Sequence, residues 1–223
     1  MDFREWEPIY MEILKDFGWQ RRKDEESAKL LANLLHGKTI ELEDIKEKIN
    51  GKNIIVCGKA DTLPDDLENI DRTEYIIIAA DGATSTLLEK SIVPDIIVTD
   101  LDGYLPDEII ANRKGAIMVV HAHGDNMDKL SVVEKLNNVI GTTQSVPFDN
   151  INNFGGLSDG DRCVFLAHEF GAKSIKLAGF NLEDKNVTGI KKKKLKWAQK
   201  LIKMIPGVIR SIDKSEKDNY FKP

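Results

Sequence analysis

The 223-residue chain has few cysteines, few prolines, no long apolar run and no excess of basic charge. Its two cysteines, Cys57 and Cys163, lie far apart and without CxxC or zinc-type spacing. That excludes a disulfide scaffold or a cysteine-built zinc site and suits a reducing cytoplasm. Seven prolines and sixteen glycines are too few for a fibrous or low-complexity chain. The longest apolar runs, YIIIAA and AIMVV, are far too short to span a bilayer, and the acidic start MDFREWEPIY has no apolar leader core. The protein therefore reads as unexported, cytoplasmic and without a membrane partner. With 32 Lys and Arg against 37 Asp and Glu, the net charge of -5 withholds the basic field that backbone binding uses, which speaks against nucleic acid. What remains is 41% hydrophobic and 31% charged, enough for a globular core. At roughly 150 residues per domain, one domain with an added segment is expected.

Apolar residues recur at three- and four-residue spacing over 3–17 and again over 28–35, and a third short helix, EDIKEKI, ends at Asn50-Gly51. Asp24 reads as a cap for the second helix and Gly37 as its end. After Gly51 come short Ile/Val-rich runs at 53–57, 75–80, 95–99, 116–120, 138–142 and 174–178, which lack polar alternation, as strands buried on both faces do. Helical stretches at 83–90, 106–113, 127–136 and 162–170 fall between most of them. Strands alternating with helices predict an α/β fold: a mostly parallel, doubly wound, Rossmann-like sheet preceded by a helical segment. The expected division is a helical segment over 1–51, an α/β catalytic domain over 52–182, and a Lys-rich helix with a polar tail over 183–223. The apolar face of the helical segment is available for a homodimer contact.

In a doubly wound sheet, ligands bind beyond the carboxyl ends of the strands. Asp81 follows one run in DGATS, Asp100 and Asp102 follow another in DLDG, and Asp125 with Asp128 follow a third in HAHGDNMD. Any one of these reads as a turn former or helix cap. Acids at three strand ends repel one another, and such a site calls for a hard divalent cation, Mg²⁺ when waters and phosphate oxygens complete the shell. Gly58, Gly82, Gly103 and Gly124 sit in the same loops, where backbone N–H groups can approach phosphate. A P-loop is excluded, since Asn53 stands where GxxxxGK needs Gly and Ala60 follows Lys59. GxGxxG is absent as well. His121 and His123, without a third nitrogen or sulfur ligand, read as structural or substrate-contacting and not as a zinc site.

The run IIVTDLDGYL resembles the aspartyl-nucleophile motif of haloacid-dehalogenase-type phosphatases, which would make Asp100 a nucleophile. Two strands precede it, however, and Tyr104 replaces the usual Thr or Val, so this reading is kept as the alternative. The order DGA, PDIIVTDLDG and then an acid-rich loop resembles the thiamin pyrophosphokinase catalytic domain, but Thr99 stands where that family has Gly and Gly103 where it has Ser. With the helical preface, GGLSDGDR and the LKWA helix, the chain is similar to the archaeal 6-hydroxymethyl-7,8-dihydropterin pyrophosphokinases of the MptE-like family. The resemblance covers most of the chain after residue 50 and lies in the order and spacing of short motifs.

The resemblance implies Mg²⁺-dependent transfer of diphosphate from ATP to a reduced pterin, releasing AMP, on the way to tetrahydromethanopterin-like coenzymes. It implies that Asp81, Asp100, Asp102 and Asp125 bind Mg²⁺, with Asp100, Asp102 and Asp125 catalytic. Gly82, Ala83 and Thr84 would lie beside the nucleotide, with Gly58, Lys59 and Arg162 as further contacts. Ser158, Asp159 and Asp161 read as helix caps, or else Gly155 to Arg162 line the acceptor pocket with Gln144 and Phe154. Lys191 to Lys194 read as a solvated face or a cover for the triphosphate. A thiamin-type kinase and a non-catalytic nucleotide-binding module remain as further alternatives.

Overall fold

The computed structural model describes residues 1–68 and 70–209. Three helices, α1 (Phe3–Phe17), α2 (Arg21–Leu34) and α3 (Leu42–Ile49), lead into β1 (Asn53–Cys57). There follow α4 (Leu63–Glu68), β2 (Tyr75–Ala80), α5 (Ala83–Glu89), β3 (Ile96–Thr99), α6 (Leu105–Arg113), β4 (Ile117–Ala122) and β5 (Val139–Thr143). The described part closes with β6 (Ile151–Asn152), α7 (Asp159–Glu169), β7 (Ser174–Ala178), α8 (Gly189–Ile202) and β8 (Val208–Ile209). The eight strands form one sheet in the order β6-β5-β4-β3-β2-β1-β7-β8, and every neighbouring pair is parallel. The chain steps outward from β1 to β6, then returns through α7 to the far side of β1. All strand carboxyl ends thus share one edge.

Burial on both faces explains the unalternated strand sequences. Ile54 and Val56 of β1 pack under α1, α3, α7 and α8, while Ile55 and Cys57 pack under α2, α4, α5 and α6. The N-terminal helices straddle the sheet. Trp6, Tyr10, Ile13 and Leu14 of α1 are buried on the first face, and Ala28, Leu31 and Leu35 on the second. The α1 face that the sequence left available for a dimer is therefore filled from within the chain.

Three local expectations change. Residues 127–136, expected as an α-helix, form turns and a 3-10 segment at Leu130–Lys135, where the β-branched pair Val132-Val133 weakens α-helix formation. α2 starts at Arg21, so Asp24 lies inside its first turn and does not cap it. The two-residue strands β6 and β8 carry too few positions to show periodicity in the sequence. The polar tail beyond residue 209 lies outside the described residues. Among the described residues, no helix is long and apolar enough to cross a membrane.

Candidate active site

The parallel register delivers Asp81 from the end of β2 and Asp100 and Asp102 from the end of β3 to one point. One carboxylate oxygen of each lies within 4.8 Å of the others. The backbone makes this possible. Leu101, buried between the two β3 acids, takes the left-handed conformation (φ 65°), costly for a branched residue and held by its N–H donating to Thr99 Oγ1 at 2.8 Å. The Thr99 hydroxyl donates to Asp81 Oδ2 at 3.4 Å, and Gly103 N–H donates to the same oxygen at 3.0 Å. A Cβ on Gly103 would lie 1.6 Å from Asp81 Oδ1. Thr99 and Gly103, the two positions that separate this chain from the thiamin kinase pattern, thus both bear on Asp81.

A second set of hydrogen bonds fixes Asp100. His123 Nδ1 accepts the Asp125 N–H at 3.2 Å, so its proton is on Nε2, which donates to Asp100 Oδ2 at 3.2 Å. Buried Asn126 donates to the carbonyls of Asp100 (2.7 Å) and His121 (2.8 Å) and accepts from His123 N–H (3.0 Å), tying the β3 and β4 ends together. The N-terminal helices reach the same loop. Asp24 accepts from Gly124 N–H at 2.9 Å, Tyr10 Oη at 2.7 Å and Gln144 Nε2 at 2.9 Å.

Crowded carboxylates in a partly dry setting shift one another's protons. Burial, helped by the charges of Asp102 and Asp100, pushes Asp81 up to about 6. Glu108 of α6 is almost fully buried beside Asp81, both its oxygens lack a partner, and burial with the Asp81 charge raises it to about 9. Asp159, first residue of α7, goes well above the carboxylate range through burial and the Asp100 charge. Asp100 goes the other way: burial works against its charge, but the His123 hydrogen bond and the nearby Arg162 hold it below the usual range. Asp81 Oδ1 is buried without a partner. Three convergent carboxylates, one of which has an unpartnered oxygen, suit a hard divalent cation.

Asp125 does not join this cluster. The His123 and Asn126 bonds shape the loop so that its side chain, like that of Asp128, is exposed. Lys59 runs over Gly82, where a Cβ would lie 2.4 Å from its Cδ, so the β1 and β2 loops do meet. Thr84 is buried with its hydroxyl unpartnered, whereas the Ala83 methyl packs into the core. Gly58 has a packing reason as well: a Cβ there would lie 2.6 Å from the Gly179 carbonyl oxygen. Arg162 is buried near Asp159 (3.5 Å). Ser158 and Asp161 do cap α7, but Asp159 instead faces the acids. Lys193 pairs with Asp16 and Lys200 with Glu12, clamping α8 to α1. Sequence reasoning missed Glu108, which reads as an ordinary first-turn acid, and Asn126, which reads as a turn residue.

Comparison with known proteins gives one consistent result. Residues 28–187 match the family described as 6-hydroxymethylpterin diphosphokinase MptE-like. A curated 6-hydroxymethyl-7,8-dihydropterin pyrophosphokinase of Methanocaldococcus jannaschii is 41% identical over 228 residues, covering 91% of this chain and 95% of that protein. Proteins of the same name from Pyrococcus furiosus and Methanothermobacter thermautotrophicus are each 47% identical, covering 81% of this chain and 78% and 79% of their own lengths.

Proposed function

Since the chain belongs to the MptE-like family of 6-hydroxymethylpterin diphosphokinases, we propose that it transfers diphosphate from ATP to 6-hydroxymethyl-7,8-dihydropterin in the cytoplasm, as a step toward folate-like coenzymes. The observation that carries this reading is the convergence of Asp81, Asp100 and Asp102. These three would hold Mg²⁺, which when bound supplies charge neutralisation and orientation of the phosphates. In the reaction the pterin hydroxyl oxygen forms a bond to the β-phosphorus as its proton is released to solvent, the bond from that phosphorus to the α,β-bridging oxygen breaks, and AMP leaves with the bridging oxygen.

The chain's own part is positioning and charge, as transfer of this kind requires. His123 and Asn126 hold Asp100 in place. Lys59, lying over Gly82, and the free Thr84 hydroxyl offer a cation and a donor to the nucleotide phosphates. Asp125 remains a residue of the loop rim and not a ligand. An assay for AMP with ATP, Mg²⁺ and the reduced pterin tests the reading. AMP should form only when the acceptor is present, and Asp100→Asn should reduce the rate at least 100-fold with the circular dichroism spectrum unchanged. AMP at the wild-type rate from that variant would remove Asp100 from the machinery.

A further inference from the structure

Beside the acid cluster, on the side away from β1, lies a pocket lined by Val98, Val119, His121, Thr142, Thr143, Phe154, Gly155, Arg162 and Leu166. Two of these residues bring buried polar atoms with no partner, His121 Nε2 and Arg162 Nε. Buried polar groups are normally satisfied, so orphan atoms on two residues that line one pocket suggest a ligand's place. Their hydrogen-bonding sense follows from the neighbours. The Thr142 hydroxyl has one proton and donates it to the Val120 carbonyl at 3.1 Å. Its oxygen, 3.2 Å from His121 Nδ1, must therefore accept from that ring, which leaves the His121 proton on Nδ1 and a lone pair on Nε2. Arg162 Nε can only donate. The pocket thus presents one acceptor and one donor, with an aromatic face from Phe154.

We propose that this pocket seats the flat heterocycle of the acceptor, with His121 Nε2 accepting a ring N–H, Arg162 Nε–H donating to a ring oxygen or nitrogen, and Phe154 against the ring face. The proposal rests on the diphosphotransfer reading and adds the residues that select the acceptor. The position suits it. The His121 and His123 rings lie 27° from parallel with centroids 6.0 Å apart, and His123 bonds Asp100, so the His121 wall of the pocket adjoins the group that holds a carboxylate of the cluster. The empty space is about 260 Å³ with the mouth included, but the inner part is closed to about one water molecule. Phe154 is half-buried and edge-on to Phe170 at 5.3 Å, and seating a ring requires this side chain to turn aside.

The test is binding without chemistry. Quenching of 6-hydroxymethylpterin fluorescence is titrated in EDTA with no ATP, so that neither the metal site nor the nucleotide contributes. A second probe, 6-hydroxymethyl-1,3-dimethyllumazine, has the same bicycle with a carbonyl in place of the 2-amino group and both pyrimidine ring nitrogens methylated, so it offers no pyrimidine-side N–H. The wild type should bind the pterin at least tenfold more tightly than the lumazine. His121→Leu should abolish that preference, Phe154→Ala should weaken both probes about tenfold, and in turnover each variant should raise the KM for pterin and leave that for ATP unchanged. Melting curves establish that the variants are folded, and should His121→Leu fail to fold, His121→Gln takes its place. Wild-type binding of both probes by folded variants, in an enzyme that still makes pterin diphosphate, overturns the pocket and leaves the function standing. If the wild type neither binds the pterin nor forms its diphosphate, both readings fall.

Discussion

Among single residues, Gly103 makes the sharpest case. Gly103→Ser would install the residue that the thiamin kinases carry, and its Cβ would overlap Asp81, since an added carbon lies 1.6 Å from Oδ1. Backbone and carboxylate cannot both stay, so activity should fall at least 100-fold, read as AMP formation at saturating ATP and Mg²⁺. The neighbouring Glu108 gives a pH prediction. Its folded pKa of about 9 and that of Asp81, about 6, stand above the ordinary 4.5 and 3.8. The folded metal-free protein therefore holds protons that the unfolded chain releases between about pH 4 and 9, and stability must fall as pH rises through that window. The slope is at most about 1.4 kcal/mol per pH unit per retained proton. Melting temperatures in EDTA should decline from pH 5 to pH 9, and Glu108→Gln should flatten the upper half of that decline. Unchanged slopes would mean that Glu108 is not protonated against Asp81.

The relevant element is the N-terminal helical pair, which is part of the site's frame. Trp6 of α1 donates from Nε1 to the Gln144 carbonyl at 2.9 Å, and Asp24 of α2 joins Tyr10, Gln144 and Gly124. Asp24→Ala would leave three donors without their acceptor, at a cost of roughly 3 kcal/mol. Chemical denaturation should show that loss together with a raised KM for the pterin, because Gln144 and Gly124 sit at the ends of the strands that form the pocket. A purely structural Asp24 would lower stability and leave KM alone. The spacing of apolar residues exposed these helices but not what they support. Asp24 reads as a cap because Ser, Thr, Asp and Asn before an apolar run commonly are caps. A hydrogen bond to a loop 100 positions away leaves no mark in local pattern.

At the scale of the whole molecule, the α/β sheet was legible because buried parallel strands write unbroken Ile and Val runs, and the meeting of Asp81, Asp100 and Asp102 was legible because strand ends in a parallel sheet converge. Asp125 lies outside that cluster for the same reason Asn126 was overlooked. Both lie in one loop, and which side chain turns inward depends on the carbonyls of Asp100 and His121 across the β3–β4 boundary. His121 showed its strand position in the sequence, but its unshared lone pair depends on where Thr142 sends its proton. The strand order then arranges the parts in a line: Lys59 and Gly82 at β1 and β2, the carboxylates at β2 and β3, and the His121 pocket at β4 and β5. Such a line suits direct transfer between two substrates bound side by side, without a protein-bound intermediate.

Direct attack of the pterin hydroxyl on the β-phosphorus is read from ³¹P NMR of the complete reaction with ATP, Mg²⁺ and 6-hydroxymethyl-7,8-dihydropterin. AMP and a pterin diphosphate should appear in equal amounts, with neither ADP nor free phosphate accumulating. ADP with a pterin monophosphate would place the attack on the γ-phosphorus, and phosphate released without acceptor would mean hydrolysis; either result would rule out direct diphosphate transfer.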